Sequence, residues 1–167
     1  MKPTQPHDSI RGYFAWFLYD EMVKNPNIWV LTGDLGYGMW DNIKIDFEDR
    51  FVNTGAAEQT LLDIAAGLAL EGKIPVVFSI TTFLLYRPFE TIRTYINHEN
   101  LPVKLIGGGR DKDYKHDGIS HWADDAKNVL GVFDNIVEYW PEDKTRMATL
   151  VPEIITNGRP TFVSLTR

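Results

Sequence analysis

From the amino end, polar and apolar positions first recur at helical spacing. Ile10, Tyr13, Phe14, Phe17, Leu18 and Met22 lie three or four apart, which predicts a helix reaching about Lys24, with Asp8 or Ser9 as its cap. The pattern then changes to short apolar runs ending in polar turns. "NIWVLTGD" (27–34), "FVNTG" (51–55), "IPVVFSI" (74–80), "PVKLIGG" (102–108), "NIVEYW" (135–140) and "PTFVSLT" (160–166) read as strands. Between them lie helical stretches: about Ala57 to Glu71, "RPFETIRTYINHE" (87–99), "HWADDAKNVLGV" (121–132) and "PEDKTRMATLVPEIITNG" (141–158). Pro88 suits a first turn, whereas Pro152 predicts a kink or break. "GGRDKDYKHDGIS" (108–120) is a polar, glycine-containing loop. Alternating short Val/Ile-rich strands and helices predict an α/β fold, a three-layer αβα domain with a mostly parallel sheet. In such sheets ligands sit beyond the carboxyl ends of the strands. The polar strand exits are therefore the candidate site: Gly33-Asp34, Asn53-Thr54-Gly55, Thr81-Thr82, Gly107 to Gly109, and Trp140.

Composition narrows the class. The chain has 167 residues, 44% of them hydrophobic, enough for one domain over 1–167 with a substantial core. The net charge of −6 and the lack of a basic stripe argue against a nucleic-acid partner. No cysteine is present, which excludes disulfides and thiolate metal sites and is compatible with a cytoplasmic location. "MKPTQPHDS" has no apolar core, so it is not read as a signal peptide. The apolar stretch between Lys73 and Arg87 is shorter than the roughly 20 residues a membrane span needs, so no membrane partner is expected.

Among the exits, Glu58 stands out. It opens a helix, "TLLDIAAGLALEG", that is small and apolar on nearly every side. A Glu in a first turn ordinarily does no more than favour the positive end of the helix dipole. A carboxylate at a buried helix end, however, needs a partner, and a ligand can be that partner. Phe83, just past a strand, reads by itself as ordinary core. "HDGISH" alone is a polar turn, and its histidines lack a third metal ligand nearby in sequence, so no metal site is expected there.

The segment "NTGAAEQTLLDIAAGLALEGKIPVVFSITTFLLYRPFETIR" resembles the pyrimidine-binding domain of the transketolase family, which includes deoxyxylulose phosphate synthases. The family has a similar Gly-x-x-Glu step, an Ala/Gly-rich helix, a strand, a Thr-Phe step and an Arg-bearing helix. "GDL" (33–35) upstream, and "HDGISHWADD" (116–125) and "YWPED" (139–143) downstream, extend the resemblance from about Ile10 to Arg167.

The resemblance implies thiamine diphosphate as cofactor. The family's Glu hydrogen-bonds the aminopyrimidine and favours the tautomer that takes the proton from C2 of the thiazolium; Glu58 matches it. The matching Phe83 would stack on the pyrimidine. The run "TTFLLYRPF" has one more residue between Phe and Arg than some relatives, which makes Tyr86 a rival; Asp34, Ile80 and Phe89 would line the same pocket. Asp117 and His121 would face the substrate, His121 as a catalytic residue, and Arg110 would lie beside them.

The chain departs from the family in three places. "GGGRDKDYK" (107–115) lacks its loop histidine, "GDLGYGMWDN" (33–42) lacks its Ser-Asn ending, and Trp140 stands where an Arg often precedes Pro. The family's phosphate-binding Ser and Arg have no evident counterpart. The glycine triplet Gly107 to Gly109 offers an alternative anion cradle. The Gly-Asp-Gly…Asn motif that holds the diphosphate through Mg²⁺ is absent from the sequence. A separate Gly-Asp-Gly subunit holding Mg²⁺ is therefore expected, in a homodimer or a four-chain complex, transferring a two-carbon ketol or acyl unit. The alternative is a non-catalytic interaction module that keeps the fold.

Overall fold

A computed structural model describes residues 2–167. Its six strands are β1 (Ile28–Thr32), β2 (Phe51–Asn53), β3 (Ile74–Ile80), β4 (Lys104–Gly108), β5 (Val137–Tyr139) and β6 (Thr161–Leu165). All neighbours are parallel, in the order β2-β1-β3-β4-β6-β5. The expected parallel αβα architecture is what the chain forms.

The strands alternate their side chains between two cores. Ile28, Val30, Val76, Phe78, Ile106 and Val163 face α1 (Ile10–Lys24) and α7 (Met147–Thr156), with Trp40 and Ile43 from α2 (Asp41–Asp46) and its approach. Leu31, Val77, Leu105 and Phe162 face α3 (Glu58–Leu70), α4 (Thr81–Tyr86), α5 (Phe89–Thr91) and α6 (Ala126–Leu130). Helix α5 starts as an α-turn at Phe89–Thr91 and continues in π geometry over Ile92–Asn97. Small residues on α3, Ala65, Ala66 and Ala69, bury against the sheet and let the helix lie close to it.

Ser9 is the cap of α1: its hydroxyl accepts from the Gly12 amide at 3.0 Å, while Asp8 pairs with Lys144. Several boundaries differ from the sequence reading. The polar exit after β3 is itself helical, α4 starting at Thr81, and Pro88 stands at the amino end of α5, in keeping with its expected place near a first turn. The Thr81 and Thr82 hydroxyls bond Gly109 O and Ser120 O, each at 2.6 Å, fastening α4 to the loop above β4. Only Ala126–Leu130 of the predicted 121–132 helix is α-helical. Helix α7 runs through Pro152 without the expected break.

The amino end of the sheet holds a buried cation. Lys104 opens β4 fully inaccessible to solvent, and its Nζ donates to Asn157 Oδ1 and the Arg159 carbonyl, both at 2.6 Å. Burial pushes its ammonium down to about 8.

Candidate functional site

At the carboxyl end, the β1 and β2 exits bring Gly33, Asp34 and Gly55 around the start of α3. Gly55 adopts φ +69°, which favours glycine, and the chain turns there to place Ala57 as a helix cap with no side-chain hydrogen bond. Glu58 then heads the helix with only 2% exposure. Its Oε1 accepts from the buried Ser79 hydroxyl at 3.1 Å, and its Oε2 from Arg87 Nη1 at 2.6 Å. A Cβ on Gly33 would come within 3.5 Å of Oε1 and 3.3 Å of the Gly55 carbonyl, so the carboxylate lies tight against the β1 exit.

Arg87 connects the carboxylate to an aromatic face. Four residues after Phe83, it shares that residue's face of α4, and its guanidinium carbon lies 3.6 Å from the Phe83 ring centroid. The Arg87 side chain is 46% exposed. A planar cation thus stands between a buried carboxylate and a benzene face, at the mouth of the site.

The row of contacts continues outward. Phe83 meets the His121 ring edge-on at 4.8 Å, His121 lies 6.1 Å from Tyr114, and the Tyr114 hydroxyl accepts from Arg11 at 3.1 Å. Arg11 and Tyr114, with His7, Ser9, Phe78, Ile80 and the 35–39 loop, wall a cavity of about 450 Å³.

The other sequence candidates divide. Asp34 adopts φ +60° beside Glu58's turn, with its carboxylate taken by Asn53 at 3.2 Å and Tyr37 at 3.1 Å. Ile80 lines the cavity. Tyr86 turns away: its hydroxyl donates to Asp125, and burial together with that acceptor holds the phenol well above its ordinary range. Phe89 packs on Phe133 at 5.2 Å. Asp117 sits on an exposed turn, 115–117. Arg110 gives its guanidinium to Ser164 Oγ, Ser164 O and Pro141 O at 3.1, 2.7 and 2.8 Å. Gly107 and Gly108 lie within β4, where a Cβ on Gly107 would come 2.6 Å from Thr81 Oγ1. That closeness accounts for the glycine by packing.

Ser79, Arg87, Arg11, His7 and Tyr114 were not singled out by the sequence reading. The helical i, i+4 spacing of Phe83 and Arg87 is the one signal that pointed to any of them, and it required knowing that "TTFLLYR" is helical.

An aminopyrimidine presents a planar face and N–H groups on its edge. The slot between Phe83 and Glu58 already accommodates a planar group with N–H donors, so these residues fit that half of thiamine diphosphate. Among the described residues no cluster of three or more His, Asp or Glu is placed to hold a metal ion. No helix among them is long and apolar enough to cross a membrane.

Known proteins share this fold. The family model described as "Transketolase, pyrimidine binding domain" matches residues 9–167. One subunit of the apulose-4-phosphate transketolase of Actinobacillus succinogenes is 32% identical over 120 residues, covering 72% of this chain and 39% of that protein. A 1-deoxy-D-xylulose-5-phosphate synthase of Dehalococcoides mccartyi is 29% identical over 151 residues, covering 88% and 23%. The structure titled "Split gene transketolase, inactive beta4 tetramer" superposes with a TM-score of 0.83 at 29% identity, covering 95% of this chain and 51% of that one. The chain therefore spans less than half the length of these two curated relatives. The fold, the buried glutamate and the match over residues 9–167 together make the chain a member of the transketolase pyrimidine-binding domain family.

Proposed function

We propose that this chain is the pyrimidine-binding subunit of a thiamine-diphosphate-dependent, transketolase-like enzyme, whose diphosphate and Mg²⁺ are held by a separate Gly-Asp-Gly subunit. The observation that carries the reading is Glu58, 2% exposed at a strand-exit helix mouth and facing a planar N–H donor stacked on Phe83. When bound, thiamine diphosphate supplies the carbon that accepts and releases a two-carbon ketol or acyl unit. The chain's own residues do the rest. Glu58 shares a proton with a ring nitrogen, and the Ser79 hydroxyl fixes the orientation of its carboxylate. Phe83 supports the ring face. His121, against the edge of Phe83, faces the substrate, and Arg11, His7 and Tyr114 present polar groups along the adjoining cavity wall.

The partner reading is supported by a relative that is itself one subunit of a transketolase and by a structural neighbour titled a split-gene product. Exposed Leu70 and Tyr95, beside Gly67, leave apolar surface for pairing of two such chains, in a homodimer or a four-chain complex. A cytoplasmic location belongs to the same proposal. The test is reconstitution with a Gly-Asp-Gly subunit. Calorimetry should show Mg²⁺-dependent binding of thiamine diphosphate by the mixture and none at micromolar concentration by this chain alone. Tight binding by the lone chain would overturn the division of labour.

A further inference from the structure

Resting on that reading, we propose that Arg87 is a built-in stand-in for the aminopyrimidine: it fills the slot of the lone chain and must leave before the ring can enter. Its guanidinium reproduces both halves of the interaction the slot offers. Nη1 donates to Glu58 Oε2 at 2.6 Å, and the flat face covers Phe83 at 3.6 Å. One planar group holds the carboxylate and the aromatic face together, so a second planar group cannot make both contacts while it remains.

Three observations separate a stand-in from a permanent ion pair. First, the partners differ in burial: Glu58 is 2% exposed and Arg87 is 46% exposed, so the cation sits at the mouth and can swing into water without unfolding anything. Second, Arg87 lies at the junction between α4 and α5, just before Pro88, and is inside neither helix. Third, the carboxylate does not depend on Arg87 alone, because Ser79 holds Oε1 from the other side. Removal of the guanidinium leaves Glu58 oriented. What it loses is a charge partner, which a ring N–H then replaces. Arg suits the task where Lys does not: a guanidinium is planar and stacks, whereas an ammonium is a compact point charge. The arrangement keeps a buried carboxylate paired until cofactor and partner arrive, and lowers the apparent affinity for the ring by the fraction of chains with Arg87 docked.

The test uses the lone chain and the pyrimidine half of the cofactor, 4-amino-5-hydroxymethyl-2-methylpyrimidine, as probe. Binding is followed by calorimetry and by the ¹⁵N–¹H signal of Arg87 Nε. In wild type, saturating probe should move that signal to the position of a solvent-exposed arginine. Arg87→Ala should bind the probe tighter, on the order of tenfold, because no side chain competes. Arg87→Lys, which keeps the charge pair but not the face, should fall between them. The double variant Glu58→Gln/Arg87→Ala should not bind, and it serves as a folding control: its melting temperature should exceed that of Arg87→Ala, in which Glu58 is left unpaired. If Arg87→Ala binds the probe as weakly as wild type or worse, Arg87 is a structural or ligand-binding residue and the stand-in falls while the site survives. If neither Arg87→Ala nor wild type binds the probe at millimolar concentration, the stand-in falls; if Glu58→Gln also leaves turnover of the reconstituted enzyme unchanged, the pyrimidine site falls with it.

Discussion

Two charged side chains are buried at opposite ends of the same sheet, and they are treated differently. Lys104, at the amino end, is held by two neutral oxygens, Asn157 Oδ1 and Arg159 O, in a closed pocket with no carboxylate partner. Glu58, at the carboxyl end, is held by one neutral hydroxyl and one half-exposed cation. The lysine's contacts tie β4 to the turn before β6 and have no free side from which a ligand could approach. The glutamate's second oxygen is satisfied by a guanidinium that is itself half exposed. Burial of a charge alone therefore does not mark a functional group. The exposure of the partner is what sets the two apart.

The comparison breaks or sharpens through substitutions at each end. The largest effect is expected at Glu58. Glu58→Gln keeps size and hydrogen bonding but cannot exchange a proton, so turnover of the reconstituted enzyme should fall by about 10²–10⁴. Its melting temperature should hold, because Arg87 is half exposed and tolerates the loss of its partner's charge. Near wild-type turnover would make Glu58 a helix-end charge and nothing more.

Lys104 should show the opposite profile, with an effect on stability and none on turnover. Its folded-state value of about 8 lies below the 10.5 of an unperturbed lysine. Below pH 8 both states carry the proton, and the cost of burying it is fully present. Between pH 8 and 10.5 the unfolded chain keeps a proton that the folded chain has lost, so stability should rise with pH, by roughly 3 kcal/mol at most. Tyr86, whose ionisation is pushed upward, works the other way only above about pH 10, where an unfolded tyrosine ionises. Urea midpoints at pH 8 and 9.5 should therefore increase in wild type and stay level in Lys104→Met. Equal slopes in the two proteins would refute the assignment.

A smaller effect separates Phe83 from Tyr86. Phe83→Ala should weaken cofactor binding in the reconstituted complex by about 0.5–1.5 kcal/mol. Tyr86→Ala should leave it nearly unchanged, since that hydroxyl is engaged by Asp125. The reverse order in a titration would move the stacking face to Tyr86. An effect of similar size lies outside the comparison and calibrates it: Ser9→Ala removes the cap of α1 and should cost about 1 kcal/mol of stability, read as a lowered urea midpoint.

The sheet was legible because its strands are apolar runs with abrupt polar exits; "NIWVLTGD" and "IPVVFSI" need no tertiary context to read as buried. Helix α4 was not, since "TTFLLY" is as β-like as the strand before it and has no capping side chain, its two threonines being spent on distant carbonyls. Helix α2 was hidden behind the glycines of "GYGMW". Glu58 was visible as a charge on an otherwise apolar helix. Arg87 had only its i, i+4 spacing from Phe83 to mark it, because its carboxylate partner lies 29 residues away and the contact exists only once α3 and α4 pack on one side of the sheet. Arg110 showed the converse: a cation in a glycine-rich loop invites a ligand on paper, yet Ser164 and Pro141 absorb it.

The strand order has a consequence in time. Strand β6 lies between β4 and β5, although it follows both in the chain. While the polypeptide is being synthesised, β5 has no neighbour to pair with, and β4 carries an unpaired edge, until residues 161–165 have left the ribosome. At about 5–20 residues per second, the stretch from β4 to β6 exposes that edge for several seconds. Late closure of long-range parallel pairs is slow by nature and leaves an interval in which a chaperone, or a second nascent copy, can reach the edge first.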